Sequence, residues 1–212
     1  MSIRLAVVFA ALIVLLTGCS EPDRPTITLY LAVQRGDLDQ LARHIHWGSD
    51  INAVLPNGQY PMHTAAEQGR IIMVKELLKH GADIDQPNAD GDTPLDLAIL
   101  NGRTQLAELL LVRGATLDAS ALLLKAAAVG VTDRDTIRIL IQRGADTEQR
   151  DASGDSALLI AIRQDNHRLA SHLVHQGADV NVRTANGISA LDLARQLDAG
   201  ELISLLQRQG AR

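Results

Sequence analysis

The sequence predicts an all-α repeat solenoid, and three observations carry that prediction. Glycine recurs at Gly48, Gly81, Gly114, Gly144, Gly177 and Gly210, in steps of 33, 33, 30, 33 and 33 residues. A second phrase marches beside it: YPMHTAA from Tyr60, TPLDLAI from Thr93, SALLIAI from Ser156 and SALDLAR from Ser189. Hydrophobic residues make up 46% of the chain but aromatic ones only 2%, so the core must be Leu, Ile, Val and Ala, a composition that suits small, regular helices. A fixed period of this length marks stacked supersecondary units, none of which can bury its apolar face alone. At 212 residues the chain holds one such array and has no room for two large domains.

The first element is not part of the array. Met1 to Arg4 carry one positive charge, and Leu5 to Leu16, LAVVFAALIVLL, form an uninterrupted apolar run of signal-peptide length. The run is shorter than the ~20 residues a helix needs to cross hydrocarbon, and no basic cluster follows it. An export signal over residues 1–18 is therefore expected, followed by Cys19, the only cysteine. A lone thiol excludes an internal disulfide and offers no Cys-rich metal cage. Leu16-Thr17-Gly18-Cys19 resembles the bacterial lipobox, a leucine and two small residues before the modified cysteine.

That resemblance implies that Cys19 is the lipidation site and the first mature residue, carrying thioether-linked diacylglycerol and an N-acyl group. The expected location is the bacterial cell envelope, lipid-anchored and periplasm-facing. Ser20 stands in the sorting position where Asp would favour the inner membrane, so the outer membrane is the expected one. Residues 19–25 end in EPDRP, polar and proline-bearing, and read as a short extended tether.

From residue 26 the repeat takes over. Thr93-Pro94 places a capping hydroxyl before a proline suited to the first helical turn, so a helix starts there. Ala65, Ala98, Ala126, Ala161 and Ala194 recur on that first helix, small enough for close helix-to-helix approach. In the second helix Val74, Leu77 and Leu78 keep helical spacing, as do Leu106, Leu109 and Leu110, and Leu202, Leu205 and Leu206. Gly81 and its equivalents follow as left-handed C-caps. Asp90-Gly91 and Asn186-Gly187 mark tight turns at the tips of inter-repeat fingers.

Together these features resemble the ankyrin repeat, about 33 residues with T-P-L-H-x-A. The resemblance implies six helix-turn-helix units joined by β-hairpin fingers, at about 26–56, 57–89, 90–118, 119–152, 153–185 and 186–212. The fourth unit is irregular: Ala126 comes five residues earlier than the Ala98 register predicts, so the finger before it is expected to be missing. The terminal units must expose polar outer faces. Arg35, Asp37, Asp39 and Arg43 meet that need at one end, and Glu201, Gln207 and Arg208 at the other.

Chemistry that would indicate an enzyme is weak. Gly154-Asp155-Ser156 matches the G-D-S of an esterase nucleophile block, but it aligns with Gly91-Asp92-Thr93 and no D-x-x-H follows near the C-terminus. His172 and His175 are spaced i, i+3 in a helix with His167, yet by register they fall on the solvent side, so no metal and no other cofactor is expected. His44 and His46 point different ways. His63 takes the place of the family's histidine and is expected to hydrogen-bond between repeats. A net charge of −5 with interleaved signs argues against nucleic acid.

The resemblance implies a protein-binding role through the concave surface. By register its variable positions are Gln34, Gln59, Thr64, Glu67, Gln68, Asp92, Asn101, Asp155, Arg163, Gln164, Arg183, Ile188 and Gln196. The aromatic residues of the mature chain, Tyr30, Trp47 and Tyr60, all fall in the first two units and are candidate interface anchors; the other reading of Trp47 is a cap on the core of the first repeat. The expected product is a monomeric, membrane-anchored scaffold or adaptor for a protein partner, the alternative being an immunity-type inhibitor of a periplasm-targeted toxin.

Overall fold

The computed structural model describes residues 21–212; the expected export signal over residues 1–18 and Cys19 lie outside the described residues. Twelve helices follow in order among them. They are α1 (Leu29–Arg35), α2 (Leu38–His46), α3 (Pro61–Glu67), α4 (Ile71–Lys79), α5 (Pro94–Leu100), α6 (Thr104–Val112), α7 (Ala119–Ala128), α8 (Arg134–Gln142), α9 (Ala157–Arg163), α10 (His167–His175), α11 (Ala190–Gln196) and α12 (Gly200–Arg208). The all-α repeat solenoid is thus the observed fold, with odd-numbered helices stacked as an inner layer and even-numbered helices behind them. Each helix is shorter than the ~12–15 residues that hold together alone, so packing maintains them. One continuous core of Leu, Ile, Val, Ala and Met runs through the array. The recurring alanines Ala65, Ala98, Ala126, Ala161 and Ala194 are all fully buried in it.

The recurring GAD phrase is a device for linking units. Its Asp accepts the backbone N–H two residues on, at Asp50, Asp83, Asp146 and Asp179, which closes a local turn. The side chain that ends the phrase then reaches the next unit. Asn52 accepts from Asp83 N at 3.2 Å, Asp85 from Thr116 N at 3.0 Å, Glu148 from Asp179 N at 3.1 Å and Asn181 from Arg212 N at 3.0 Å. At the step with no phrase to spare, Ser120 Oγ accepts from Asp146 N at 2.8 Å instead.

The fingers are present as tight turns closed by a few backbone bonds, such as Asn88 N to Asp92 O at 2.9 Å, and Thr184 N to Ile188 O at 2.9 Å with Ala190 N to Val182 O at 3.0 Å. The expected β-hairpins are reduced to isolated antiparallel bridges, Arg150 with Ser156 and Arg183 with Ser189, and no strand forms among the described residues. The arms are too short for a second rung. As expected, the finger before the fourth unit is absent: residues 113–118 connect α6 to α7, whereas the other connections run over 47–60, 80–93, 143–156 and 176–189.

Losing that finger has a structural consequence. The inner helices pack closely in the steps α1 to α3, α3 to α5, α7 to α9 and α9 to α11, but α5 and α7 do not approach as closely. The array is therefore two three-unit halves meeting at a looser joint. Two polar links span it: Lys125 bonds Asp92, and the Thr136 hydroxyl donates to Ile99 O at 3.1 Å.

Candidate protein-binding face

The inner layer and the fingers form one face of the array. An inner helix is flanked by a neighbour on each side and an outer helix behind, so most of its length is closed: Ala157 to Ile162 of α9 are all buried. What this face offers is the last residue of each inner helix, the residue after it, and the finger. Arg163, Gln164, Arg183, Gln196 and Asn101 are exposed there; Gln34, Gln59, Glu67, Gln68 and Ile188 are half-buried.

Three expected contact residues are corrected by burial. Thr64 is 1% exposed, and its hydroxyl donates to Gln59 Oε1 at 3.3 Å, so it supports Gln59 from within α3. Asp92 and Asp155 are 7% and 4% exposed. Each lies under a cation: Lys125 covers Asp92, and Arg163 covers Asp155. The Asp155 carboxylate in turn holds the Arg163 guanidinium above its ordinary range, chiefly by hydrogen bonding. The surface at these positions accordingly presents the cations and hides the acids.

Several residues of this face also tie units together. Arg70 donates to Gln34 O at 2.9 Å, Arg103 to Glu67 O at 3.0 Å, and Gln164 to Ala128 O at 2.8 Å. Gln68 donates to Gln34 Oε1 at 3.3 Å. At the last two fingers, Arg150 donates to Gly154 O at 2.6 Å and Arg183 O at 2.8 Å, and Arg183 donates to Gly187 O at 2.8 Å. Lys125 and Arg150 were not among the positions taken from the register. Lys125 was legible as the one charge in the apolar run of α7, and the missing finger gives it the room to reach Asp92. A recess of about 370 Å³ opens there, lined by Asp92, Thr93, Asp96, Asp118 and Lys125 among others. Asp96 closes a capping box with Thr93, and burial pushes its carboxyl up.

His63 does what its place in the repeat implies. It is fully buried, and Nε2–H donates to Asp92 O of the next unit at 2.9 Å while Tyr60 stacks over it at 5.4 Å. Burial pushes its pKa below the ordinary 6.5. A histidine with a lowered folded pKa favours the neutral form, so its share of stability is complete above 6.5 and is lost as pH falls from there through the folded value. His172, half-buried against α8 and also lowered mainly by burial, acts in the same sense. The urea midpoint of the wild type is expected to fall between pH 7.5 and 5.5, more steeply than that of His63→Gln; parallel curves would contradict this role.

The remaining candidates resolve as structural. Ser156 is buried, and its Oγ has no hydrogen-bond partner, whereas a nucleophilic serine needs a base within reach. His167 meets Glu201 at 3.2 Å, and His175 donates to Ser171 O of its own helix at 2.6 Å. No group of three or more His, Cys, Asp or Glu among the described residues is placed to hold a metal. Tyr60 begins α3 without a capping bond and accepts from Gln86 through its hydroxyl at 3.3 Å. Tyr30 is half-buried in α1. Trp47 is 40% exposed, and its Nε1 donates to Pro22 O at 3.0 Å.

This stacked, twelve-helix array with a polar inner face is a protein-interaction scaffold. The sequence profile described as Ankyrin repeats (3 copies) matches residues 29–121 and 123–212, and the chain belongs to the ankyrin repeat family. The two matches part inside α7, beside the loose joint. Among curated proteins none matches the chain. Among solved structures, the human ASB11 ankyrin repeat domain is similar at 25% identity and a TM-score of 0.71, over 88% of this chain and 85% of that one. An ankyrin repeat domain from Acinetobacter baumannii AYE is 27% identical with a TM-score of 0.65, over 87% and 98%. A chain from the Bdellovibrio bacteriovorus predatory endopeptidase Bd0816 in complex with immunity protein Bd3460 matches at 24% identity and a TM-score of 0.70, over 87% and 99%. At that identity the likeness speaks to the fold.

Proposed function

We propose that the chain is a lipid-anchored, periplasm-facing adaptor that holds a protein partner on the inner face of its repeats and has no enzymatic activity of its own. The observation that carries the binding reading is that Asn101, Ile188 and Gln196 lie open or half-open on this face without side-chain bonds to another unit, beside the exposed Arg183 on its finger. Side chains that make no link between units are free to meet a partner. The lipid anchor is supported by Leu16-Thr17-Gly18-Cys19 and by the apolar run before it.

The face also suggests the partner's chemistry. With Asp92 and Asp155 buried under Lys125 and Arg163, and Arg150 and Arg183 on the last two fingers bonded to carbonyls and not to carboxylates, the second half of the array suits an acidic segment. A standard interface of about 800 Å² per partner would engage about four units. The binding either recruits the partner or blocks it, as an immunity-type inhibitor would block a toxin.

Photo-crosslinking by face tests this reading. A crosslinker replacing Asn101 or Gln196 is expected to capture one partner from cells, and one replacing Gln105 or Arg138 on the outer helices to capture none. Equal capture from both faces would contradict it. Should the captured protein be a hydrolase whose activity falls on adding purified chain, the binding is inhibitory.

A further inference from the structure

The segment before the first repeat is strapped down along one stripe of α2. Asp39, Arg43 and Trp47 sit at i, i+4 and i+8 and so share one side of that helix. Trp47 Nε1 donates to Pro22 O at 3.0 Å, and the Arg24 guanidinium lies over the indole at 4.9 Å. Asp23 pairs with Arg43 at 3.7 Å. Further along, Thr26 N donates to Gln40 Oε1 at 2.9 Å, and His44 Nε2–H donates to Ile27 O at 2.8 Å while Ser49 Oγ lies 2.9 Å from Nδ1. His44 is thereby satisfied at both ring nitrogens. A recess of about 810 Å³ lies where the strap crosses α1 and α2, lined by Arg24, Ile27, Leu31 and Trp47 among others. The part of the expected tether that is described, residues 21–25, thus lies against the first repeat.

We infer that this strap fixes the first repeat against the bilayer, with Trp47 and Arg24 as its lipid-facing pair. The inference rests on Cys19 being the lipid anchor. Cys19 is three residues from Pro22, a span of at most about 11 Å fully extended, and Pro22 is bonded to the indole. The headgroup region is the one partner that this short leash brings to the stripe. Its chemistry fits: Trp favours the membrane interface, and a basic side chain stacked on it can meet lipid phosphates. Asp23 and Asp39 both pair with Arg43, while Arg24 has no carboxylate among the described ion pairs. Glu21 is the remaining acid of the strap. The consequence is orientation: the array leaves the membrane from its first unit, with the later units farther out.

Trp47 is the only tryptophan of the chain, so its emission reports this contact directly. Full-length lipidated protein would be placed in vesicles of phosphatidylethanolamine and phosphatidylglycerol, with and without brominated acyl chains near the headgroups. Trp47 emission is expected to be quenched by the brominated lipid. A long Gly-Ser spacer between Ser20 and Glu21 is expected to abolish quenching while vesicle partition is unchanged. Partition without quenching of the native chain, or quenching that survives the spacer, would overturn the strap's role. Failure of the protein to partition at all would instead overturn the anchor, a separate result read in the same experiment.

Discussion

Replacing Cys19 with Ser is expected to remove all lipid label from the protein and to eliminate the proposed mature form that begins at residue 19. The thiol is the only one in the chain, it follows an apolar run of export length, and the repeats use no cysteine. Each buried methylene stabilises attachment by about 0.8 kcal/mol and a single chain holds only marginally, so the proposed diacylglycerol and N-acyl chains would together make the attachment stable. On the proposed reading, a processed protein without them would lose its hold on the membrane, and a precursor without the modified cysteine would keep its leader. Labelled-palmitate incorporation and gel mobility read both effects. Unchanged label and mobility in the variant would remove the anchor and everything built on it.

Replacing Leu140 with Ala lowers stability by about 3 kcal/mol and does so unevenly along the array. Leu140 is fully buried in α8, at the place that Leu77, Leu110, Leu173 and Leu206 take in the other outer helices. A cavity there removes a large part of the ~5–15 kcal/mol that holds an ordinary domain. In a solenoid each unit contacts only its neighbours, so damage spreads as far as the interfaces carry it. Where α5 and α7 fail to close, the spread should stop. Far-ultraviolet circular dichroism, which follows every helix, is expected to shift to lower urea than Trp47 fluorescence, which follows the first unit. If the two transitions stayed coincident in the variant, the joint would be as strong as the other interfaces.

How much could be read in advance depended on whether a residue's partner was local. The glycine period follows from chain geometry, since a left-handed C-cap is needed wherever an outer helix ends, and the early position of Ala126 already located the missing finger. His63 was legible for the same reason: its place in the phrase sets its partner one unit on. Thr64, Asp92 and Asp155 misled because a polar side chain in a loop or on a short helix reads as exposed until the neighbouring helix or a cation from another turn is in place. Lys125 bonds Asp92 across the joint, a pairing that only the absent finger permits. Trp47 was seen as unusual, but its partner Pro22 lies in a segment whose composition reads only as a short extended tether.

One face of the array is proposed to bind a protein and the other not. The most direct measurement is the affinity of the crosslink-captured partner for purified wild-type chain and for the Arg183→Glu/Gln196→Glu variant, which removes no buried partner and should keep its helix content. Binding weakened at least about tenfold by the variant, and unchanged by Gln105→Glu on the outer layer, is the predicted result. Equal affinity for all three proteins would contradict the claim.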